Sequence, residues 1–332
     1  FRTKINKKKK MKKITIIAEI GINHSGSLAL AKKMIKAAKK CGADVAKFQN
    51  AYRDDLFQIK SKAYKVAKKF ILKDSEYKEI KKYCDKLKIE FMSTPYDFRS
   101  IDLLEKLKVK RYKVASADVV DMPLNKKIIS TKKPVIISVG MANISEIKKT
   151  INFYKKNNMK KITLLHCVSS YPCSTKSLNL RAMLKLKKVF NLPVGYSDHS
   201  IGNDAAIMAV GFGATIIEKH FTINKKLPGA DHKISDNPKE FSKLIKAIRE
   251  AELRLGEEEK KCQPEEKKFI KFARKSITLK NDLKRGDSIK ESDIIMKRPG
   301  TGLNGQKVRE IIGKKVKRNF SKDYQVKKQD LR

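Results

Sequence analysis

Short apolar segments alternate with amphipathic segments along most of this chain. In segment 27–41 apolar residues recur at Leu28, Ala31, Met34, Ile35 and Ala38, a spacing that predicts one face of a helix. Further helices are predicted over 75–87, 145–157 and 203–213. The apolar segments predict eight strands, over 14–19, 43–49, 89–94, 112–116, 134–139, 162–167, 193–197 and 214–220. Strands that alternate with helices form parallel sheets, so the pattern predicts an α/β fold, the closed (β/α)8 or TIM barrel.

A polar or ionisable side chain stands at or near the end of every predicted strand. These residues are Glu19, Lys47, Ser93, Ser116, Ser138, His166, His199 and His220. The carboxyl ends of the strands form the active-site face of such barrels. Strand-to-loop junctions are commonly polar, but this does not explain Lys47 and Lys113 within apolar strands, because an unpaired buried ammonium is costly. Together with the hydroxyls of Ser116, Ser138 and Ser197, the two lysines predict a site for a ligand that carries phosphate and carboxylate groups.

Two histidines are candidates for a metal site. His199 and His220 each follow a strand-like run, and carboxylates lie close by in sequence at Asp198, Glu218 and Asp231. Imidazole and carboxylate ligands suit Mn, Fe, Zn or Co. The alternative is that each histidine is an ordinary buried side chain with a backbone partner. A pair at two strand ends favours the metal site.

Composition limits the other function classes. The 332 residues are enough for a barrel of about 250 residues and a small second domain. No apolar run approaches the ~20 residues of a membrane span, and the basic start lacks the apolar segment of a signal peptide. The barrel-like pattern starts only after Met11, so we interpret 1–11 as a disordered or unnatural leader. The five cysteines have unrelated spacings, which indicates free thiols in a reducing cytoplasm.

The net charge of +44 raises the question of a nucleic-acid partner. The lysines are spread over every helix-like segment, and no nucleic-acid-binding motif accompanies them. We therefore predict neither a specific nucleic-acid partner nor a membrane partner. A general field that attracts anionic substrates is the expected consequence of the charge.

The character of the sequence changes after the predicted barrel, which we assign to 12–254. Residues 255–274 are highly charged and predict a linker. Residues 275–332 hold short β-like runs separated by turn signals, which predicts a small β-rich domain. Arg298 lies here beside Pro299 and Gly300, and from spacing alone it is an ordinary surface arginine.

The motifs AEIGINHSGS, GADVAKFQ, FMSTPYD, YKVASAD, IISVGMA, LLHCVSSYP, GYSDHS, IEKHFT and LPGADHKIS occur in this order. Together they resemble the sialic acid synthases, the group that includes N-acetylneuraminate and legionaminic acid synthases. The tail, RKSITLKNDLKRGDSI followed by KRPGTG, resembles the C-terminal antifreeze-like (SAF, β-clip) domain of that family. The resemblance runs from about residue 12 to the end of the chain.

The resemblance implies a metal-dependent transferase that condenses phosphoenolpyruvate with an open-chain N-acetylated aldose. The products are phosphate and a nine-carbon 2-keto sugar acid, formed by cleavage of the carbon–oxygen bond of phosphoenolpyruvate. N-acetylmannosamine is the first expected acceptor, and 2,4-diacetamido-2,4,6-trideoxymannose, used by legionaminic acid synthases, is the alternative. A pseudaminic acid synthase, a synthase for a sugar phosphate and a non-enzymatic binding protein rank lower.

The resemblance also implies residue roles. His199 and His220 match the metal ligands, with Mn²⁺ expected first and Mg²⁺ or Co²⁺ as alternatives. The residues that match the phosphoenolpyruvate site are Lys47, Lys113, Ser116, Ser138 and Ser197. Those that match positions near the sugar are Glu19, Tyr171 and Asp231. Arg298 matches an arginine that the SAF domain lends to the barrel of the other subunit, which implies a domain-swapped homodimer.

Two departures from the family pattern concern the choice of sugar. Ser169 stands where some members carry asparagine, so one contact to the substrate is expected to differ. Segment 50–74 is shorter than the usual segment after the second strand, so the loop over the sugar is expected to be altered.

Overall fold

The computed structural model describes residues 13–229 and 231–332. The predicted leader, 1–11, lies outside this described part. The chain divides into two compact units, of which the first ends at Gly256 and the second comprises Glu257–Arg332. The predicted linker, 255–274, contains a helix, Pro264–Ala273, that belongs to the second unit.

The first unit is built on eight parallel strands. They are β1 (Thr15–Gly21), β2 (Val45–Asn50), β3 (Glu90–Pro95), β4 (Tyr112–Val114), β5 (Val135–Ser138), β6 (Ile162–His166), β7 (Val194–Asp198) and β8 (Ile216–His220). Their order in the sheet is β3-β2-β1-β8-β7-β6-β5-β4, and β3 also lies beside β4. The sheet therefore closes, and the predicted (β/α)8 barrel is confirmed.

Helices connect the strands of this unit. They are α1 (Leu28–Cys41), α2 (Arg53–Leu56), α3 (Lys62–Ala67), α4 (Asp74–Lys86), α5 (Phe98–Lys106), α6 (Met122–Ser130), α7 (Ile144–Lys156), α8 (Ala182–Phe190), α9 (Asp204–Gly211) and α10 (Pro238–Leu255). Local chemistry sets the ends of α1: the Ser27 side chain accepts a hydrogen bond from the Leu30 N–H (3.2 Å), and Gly42 ends the helix at φ 99°. Four residues of the predicted apolar face of α1 are buried, and the fifth, Leu28, is partly buried.

The alternation of side chains along the strands determines which residues line the interior of the barrel. Six buried apolar residues form a layer inside the barrel: Ile17, Val45, Met92, Ile136, Leu165 and Ile216. Two residues further along the chain from each of these stand Glu19, Lys47, Thr94, Ser138, Cys167 and Glu218. Because every second side chain of a strand lies on the same face, these polar residues form the next layer of the interior, towards the carboxyl ends of the strands.

The second unit is small and β-rich, as predicted. After α11 (Pro264–Ala273), the strands β9 (Ser276–Leu279) and β10 (Ile294–Lys297) pair antiparallel, and a short helix, α12 (Val308–Ile311), follows. Its core is formed by Ile277, Leu279, Leu283, Ile289, Ile311, Val316, Phe320, Val326 and Leu331. Within 13–229 and 231–332, no helix is both long and apolar enough to cross a bilayer.

Candidate active site

Four buried charged residues form a cluster inside the barrel. Lys47 Nζ lies 3.1 Å from Glu19 Oε2 and 3.3 Å from Glu218 Oε2. Lys113 Nζ lies 3.6 Å from Glu218 Oε1. None of the four side chains is more than 5% exposed. The two lysines expected inside the barrel are therefore brought together, and protein carboxylates supply part of the negative charge that their burial requires.

The two carboxyl groups of this cluster differ in protonation. Burial would raise the pKa of Glu218, but Lys113 and Lys47 outweigh burial and hold this pKa well below its ordinary value. Burial raises the pKa of Glu19; Lys47 opposes this rise, and the charge of Glu218 adds to it. Burial lowers the pKa of Lys113 despite the nearby Glu218. Glu19 is therefore the carboxyl group of the cluster that holds a proton more readily.

The two predicted metal ligands lie side by side. The ring centroids of His199 and His220 are 5.6 Å apart, and the Tyr171 ring lies 4.2 Å from the first and 5.7 Å from the second. Nδ1 of His199 lies 2.7 Å from the Val168 carbonyl oxygen, which makes this nitrogen the N–H donor. The other nitrogen, Nε2, is thereby left with its lone pair, 3.4 Å from the Ser197 hydroxyl.

His220 has a nitrogen without a hydrogen-bond partner. Its Nδ1 is buried, and Oδ2 of Asp231 lies 3.8 Å from it. Burial, together with the neighbouring His199 and Lys47, lowers the pKa of His220 to about 3. Burial also lowers the pKa of His199. Both imidazoles are neutral at physiological pH, which is the form that binds metal ions.

These histidines fit a divalent metal in part. In the described residues, no group of three or more His, Cys, Asp and Glu side chains is arranged to hold a metal ion. Two neutral imidazoles, one with an unpartnered buried nitrogen, can supply two ligands and leave the remaining positions open to substrate and water. The metal site stays a prediction.

Two further predicted residues, Ser116 and Ser169, meet around Gly140. The Ser116 hydroxyl accepts a hydrogen bond from the Gly140 N–H (3.0 Å) and lies 3.0 Å from the Cys167 sulfur. A Cβ atom on Gly140 would lie only 2.5 Å from the Ser169 hydroxyl and 2.8 Å from the Cys167 sulfur. The absence of a side chain at Gly140 is therefore what lets these groups approach the strand end. The Ser138 hydroxyl, at the end of β5 two residues before Gly140, is buried without a partner.

The structure places four further residues that the sequence singled out. Asp198, interpreted as a carboxylate close to the metal, pairs instead with Lys219 Nζ at 2.7 Å. His166 Nε2 lies 2.8 Å from the Leu178 carbonyl oxygen, so this histidine is a structural side chain. The Ser197 hydroxyl does face the cluster and donates to Glu218 Oε1 (3.0 Å). Arg298 lies in the second unit, where it is exposed and its Nε donates to the Ala273 carbonyl oxygen (3.0 Å).

Sequence reasoning missed three polar residues of the site. Thr94, rather than its neighbour Ser93, accepts a hydrogen bond from Lys47 Nζ (3.3 Å). Gln49 Nε2 donates to Glu19 Oε1 (3.0 Å), and Cys167 contacts Ser116 as described above. The signal that identifies Thr94 and Cys167 is present in the sequence, because each stands two residues after a residue of the apolar layer.

Lysines, carboxylates and histidines lie at the carboxyl ends of the barrel strands. In (β/α)8 enzymes the active site is found at this end of the barrel. Comparison with known proteins defines the class more narrowly. The NeuB family profile matches residues 34–260, and the SAF domain profile matches residues 274–332. The chain belongs to the NeuB family, and with it to the sialic acid synthases.

Individual relatives match over nearly the whole chain. The chain is 39% identical to the N,N'-diacetyllegionaminic acid synthase of Campylobacter jejuni, over 94% of this chain and 98% of that protein. It is 40% identical to the protein of the same name from Legionella pneumophila, over 92% of this chain and 91% of that one. Among solved structures, the N-acetylneuraminic acid synthetase of Leptospira borgpetersenii in complex with citrate superposes with a TM-score of 0.75 at 36% identity, over 78% of this chain and 90% of that one.

Proposed function

We propose that this chain condenses phosphoenolpyruvate with an open-chain N-acetylated aldose, releasing phosphate and a nine-carbon 2-keto sugar acid. The observation that carries the proposal is the buried cluster of two lysines and two carboxylates beside two neutral histidines. In a barrel of the NeuB family, this cluster offers cationic groups for a substrate with two anionic ends and a carboxyl group for proton transfer.

The lysines and hydroxyls hold and orient phosphoenolpyruvate. Lys47 and Lys113 compensate its anionic ends, and hydroxyl groups supply directed hydrogen bonds from Ser116, Ser138, Ser169 and Ser197. A bond forms between carbon 3 of phosphoenolpyruvate and the aldehyde carbon of the sugar. Water then adds to carbon 2, and the bond from carbon 2 to the bridging oxygen breaks, so that this oxygen leaves with phosphate.

On the sugar side, Glu19 accepts or donates a proton or orients a hydroxyl group, as its raised pKa allows. Tyr171 and Asp231 line the same face, next to His199 and His220. These histidines would hold a divalent ion, with Mn²⁺ expected first, and when bound it would polarise the aldehyde oxygen. A homodimer in which Arg298 serves the barrel of the other subunit stays a prediction.

The relatives, rather than the geometry, support the choice of acceptor. Identities of 39% and 40% with two N,N'-diacetyllegionaminic acid synthases favour 2,4-diacetamido-2,4,6-trideoxymannose. The 36% identity with an N-acetylneuraminic acid synthetase keeps N-acetylmannosamine, the acceptor expected first from the sequence, as the second candidate.

Phosphate release from phosphoenolpyruvate tests the proposal, with each sugar in turn and with Mn²⁺ or EDTA. We expect metal-dependent release with one of the two sugars. With ¹⁸O in the bridging position, the label should appear in phosphate, because the carbon–oxygen bond is the one that breaks. Label retained in the sugar acid would contradict the mechanism, and no release with either sugar would contradict the substrate assignment.

A further inference from the structure

A second buried ion pair lies next to the site but on the opposite face of the same two strands. Asp198 and Lys219 are register partners in β7 and β8, and each is 1% exposed. The neighbouring register pair, Ser197 and Glu218, faces the barrel interior, where the two side chains share a hydrogen bond. Because side chains alternate along strands, Asp198 and Lys219 point away from the interior, while His199 and His220 point back into it.

The Lys219 ammonium group donates all its hydrogen bonds to the end of β7 and to the short loop that follows it. Nζ donates to Asp198 Oδ2 (2.7 Å), to the Ser200 carbonyl oxygen (2.6 Å) and to the Gly202 carbonyl oxygen (2.8 Å). An ammonium group has three N–H donors, so all three are satisfied, two of them by the backbone that leaves β7.

Asp198 also forms hydrogen bonds with the same loop, through its second carboxylate oxygen. Its Oδ1 accepts hydrogen bonds from the Ser200 N–H (2.9 Å) and from the Ser200 hydroxyl (2.7 Å). His199 is the residue between the two anchored positions. Its own carbonyl oxygen accepts from the Cys173 N–H (2.9 Å), which fixes the backbone at a third point.

Stability alone is a weak explanation for this pair. Removing two charges from water costs several kcal/mol per ion, and well-packed apolar side chains of similar volume commonly stabilise a protein as well or better. The ion pair instead constrains the geometry of the backbone. The pair ties the backbone on both sides of His199 to β8, the strand that ends in His220.

We propose that Lys219 and Asp198 are positioning residues that fix the His199 imidazole relative to His220. The proposal concerns the orientation of His199 and rests on the proposed function only where metal binding is used as a readout. Neither residue touches the substrate in this proposal, since both face away from the barrel interior.

The first experiment follows the His199 imidazole directly in the full-length, metal-free protein. The chain has five histidines, so a ¹⁵N-histidine-labelled sample gives a small set of ring signals, and a His199→Gln sample identifies the signal of interest. We expect Lys219→Met to shift or broaden the His199 signals while the signals of His24 and His232 stay in place. Unchanged His199 signals in Lys219→Met would overturn the proposal.

Lys219→Met leaves a buried aspartate without its cation and risks unfolding. The double variant Lys219→Met/Asp198→Asn removes both charges and keeps an oxygen for Ser200, so it provides a folded alternative for the same measurement. Arg111→Met is the matched control. It removes a bidentate ion pair with Glu90 (2.7 and 2.8 Å) before the start of β4, at the opposite end of the barrel, and should leave the His199 signals unchanged.

The second experiment measures Mn²⁺ affinity by electron paramagnetic resonance. Loss of a residue that orients a metal ligand typically costs 10- to 100-fold in affinity, and we expect a Kd increase of about this size for the Lys219 variants and none for Arg111→Met. Wild-type affinity in the Lys219 variants would overturn the positioning role. Failure of the wild type itself to bind Mn²⁺ would contradict the proposed function instead, and the ring signals would still decide this inference.

Discussion

Glu218 is the carboxylate shared by Lys47 and Lys113, and replacing it by glutamine tests whether the cluster is coupled as its geometry implies. The Glu218→Gln change keeps the size of the side chain and an acceptor for Ser197, but it removes the negative charge 3.6 Å from Lys113 Nζ. Lys47 retains Glu19 at 3.1 Å, whereas no second ion pair is recorded for Lys113 among the described residues. The lysine left without compensation is therefore Lys113.

The magnitude follows from the burial of this lysine. Removing one partner of a buried ion pair costs roughly 3–5 kcal/mol, because the other charge stays buried and uncompensated. The lower end applies here, since burial already lowers the pKa of Lys113 and loss of its proton limits the penalty. We expect a decrease of about 3 kcal/mol in the free energy of unfolding. For a unit of this size that corresponds to a fall in Tm of roughly 6–12 °C.

Urea denaturation followed by circular dichroism measures this change, with Glu240→Gln as the control. Glu240 pairs with Lys225 at 2.7 Å, but its side chain is 40% exposed, so its loss should cost no more than about 1 kcal/mol. Added phosphate should raise the Tm of Glu218→Gln more than that of the wild type, since an anion can then occupy the vacated charge position. Wild-type stability together with an unchanged phosphate response would refute the coupled cluster.

Three further predictions concern single residues. Burial lowers the pKa of His24 from 6.5 to about 4. The unfolded chain therefore binds a proton more readily than the folded one, and the free energy of unfolding decreases as pH falls from 6.5 towards 4. In His24→Gln, the decrease in this free energy between pH 7 and 4.5, measured by urea denaturation, should be smaller by roughly 2–3 kcal/mol. His220→Ala should abolish metal-dependent turnover while circular dichroism stays unchanged, and activity that persists in a metal-stripped sample of this variant would contradict the metal role. Arg298→Ala should raise the KM for the sugar far more than the Kd for phosphoenolpyruvate, and equal effects on both would place this arginine elsewhere.

The fold was predictable because its signal repeats. Each apolar segment followed by an amphipathic one adds a strand and a helix, and an error of one or two residues at a boundary does not change the count. The burial of Lys47 and Lys113 beside anionic groups was predictable for a different reason. A lysine within an apolar strand must find an anion, and the interior of the barrel brought Glu218 within reach of both.

The remaining site residues depend on which face of the strand they occupy, and an error of one position reverses that face. Ser93 and Thr94 are both polar and adjacent, yet Thr94 is the one that contacts Lys47. Asp198 stands next to His199 in sequence and lies on the other face of β7. Composition cannot separate such neighbours, whereas counting in steps of two from the apolar layer does.

The pairing of β1 with β8 makes the site a late product of folding. Glu19 and His220 are direct partners across these two strands, although they come from opposite ends of the barrel sequence. Contacts of such long sequence separation pay their loop-closure entropy before they gain stability, so they form slowly. A chain emerging from the ribosome has neither the two-histidine face nor the complete charge cluster until β8 has been synthesised and has joined β1. Ligand binding at this site would therefore report on closure of the whole ring, and no amino-terminal fragment that ends before β8 should show it.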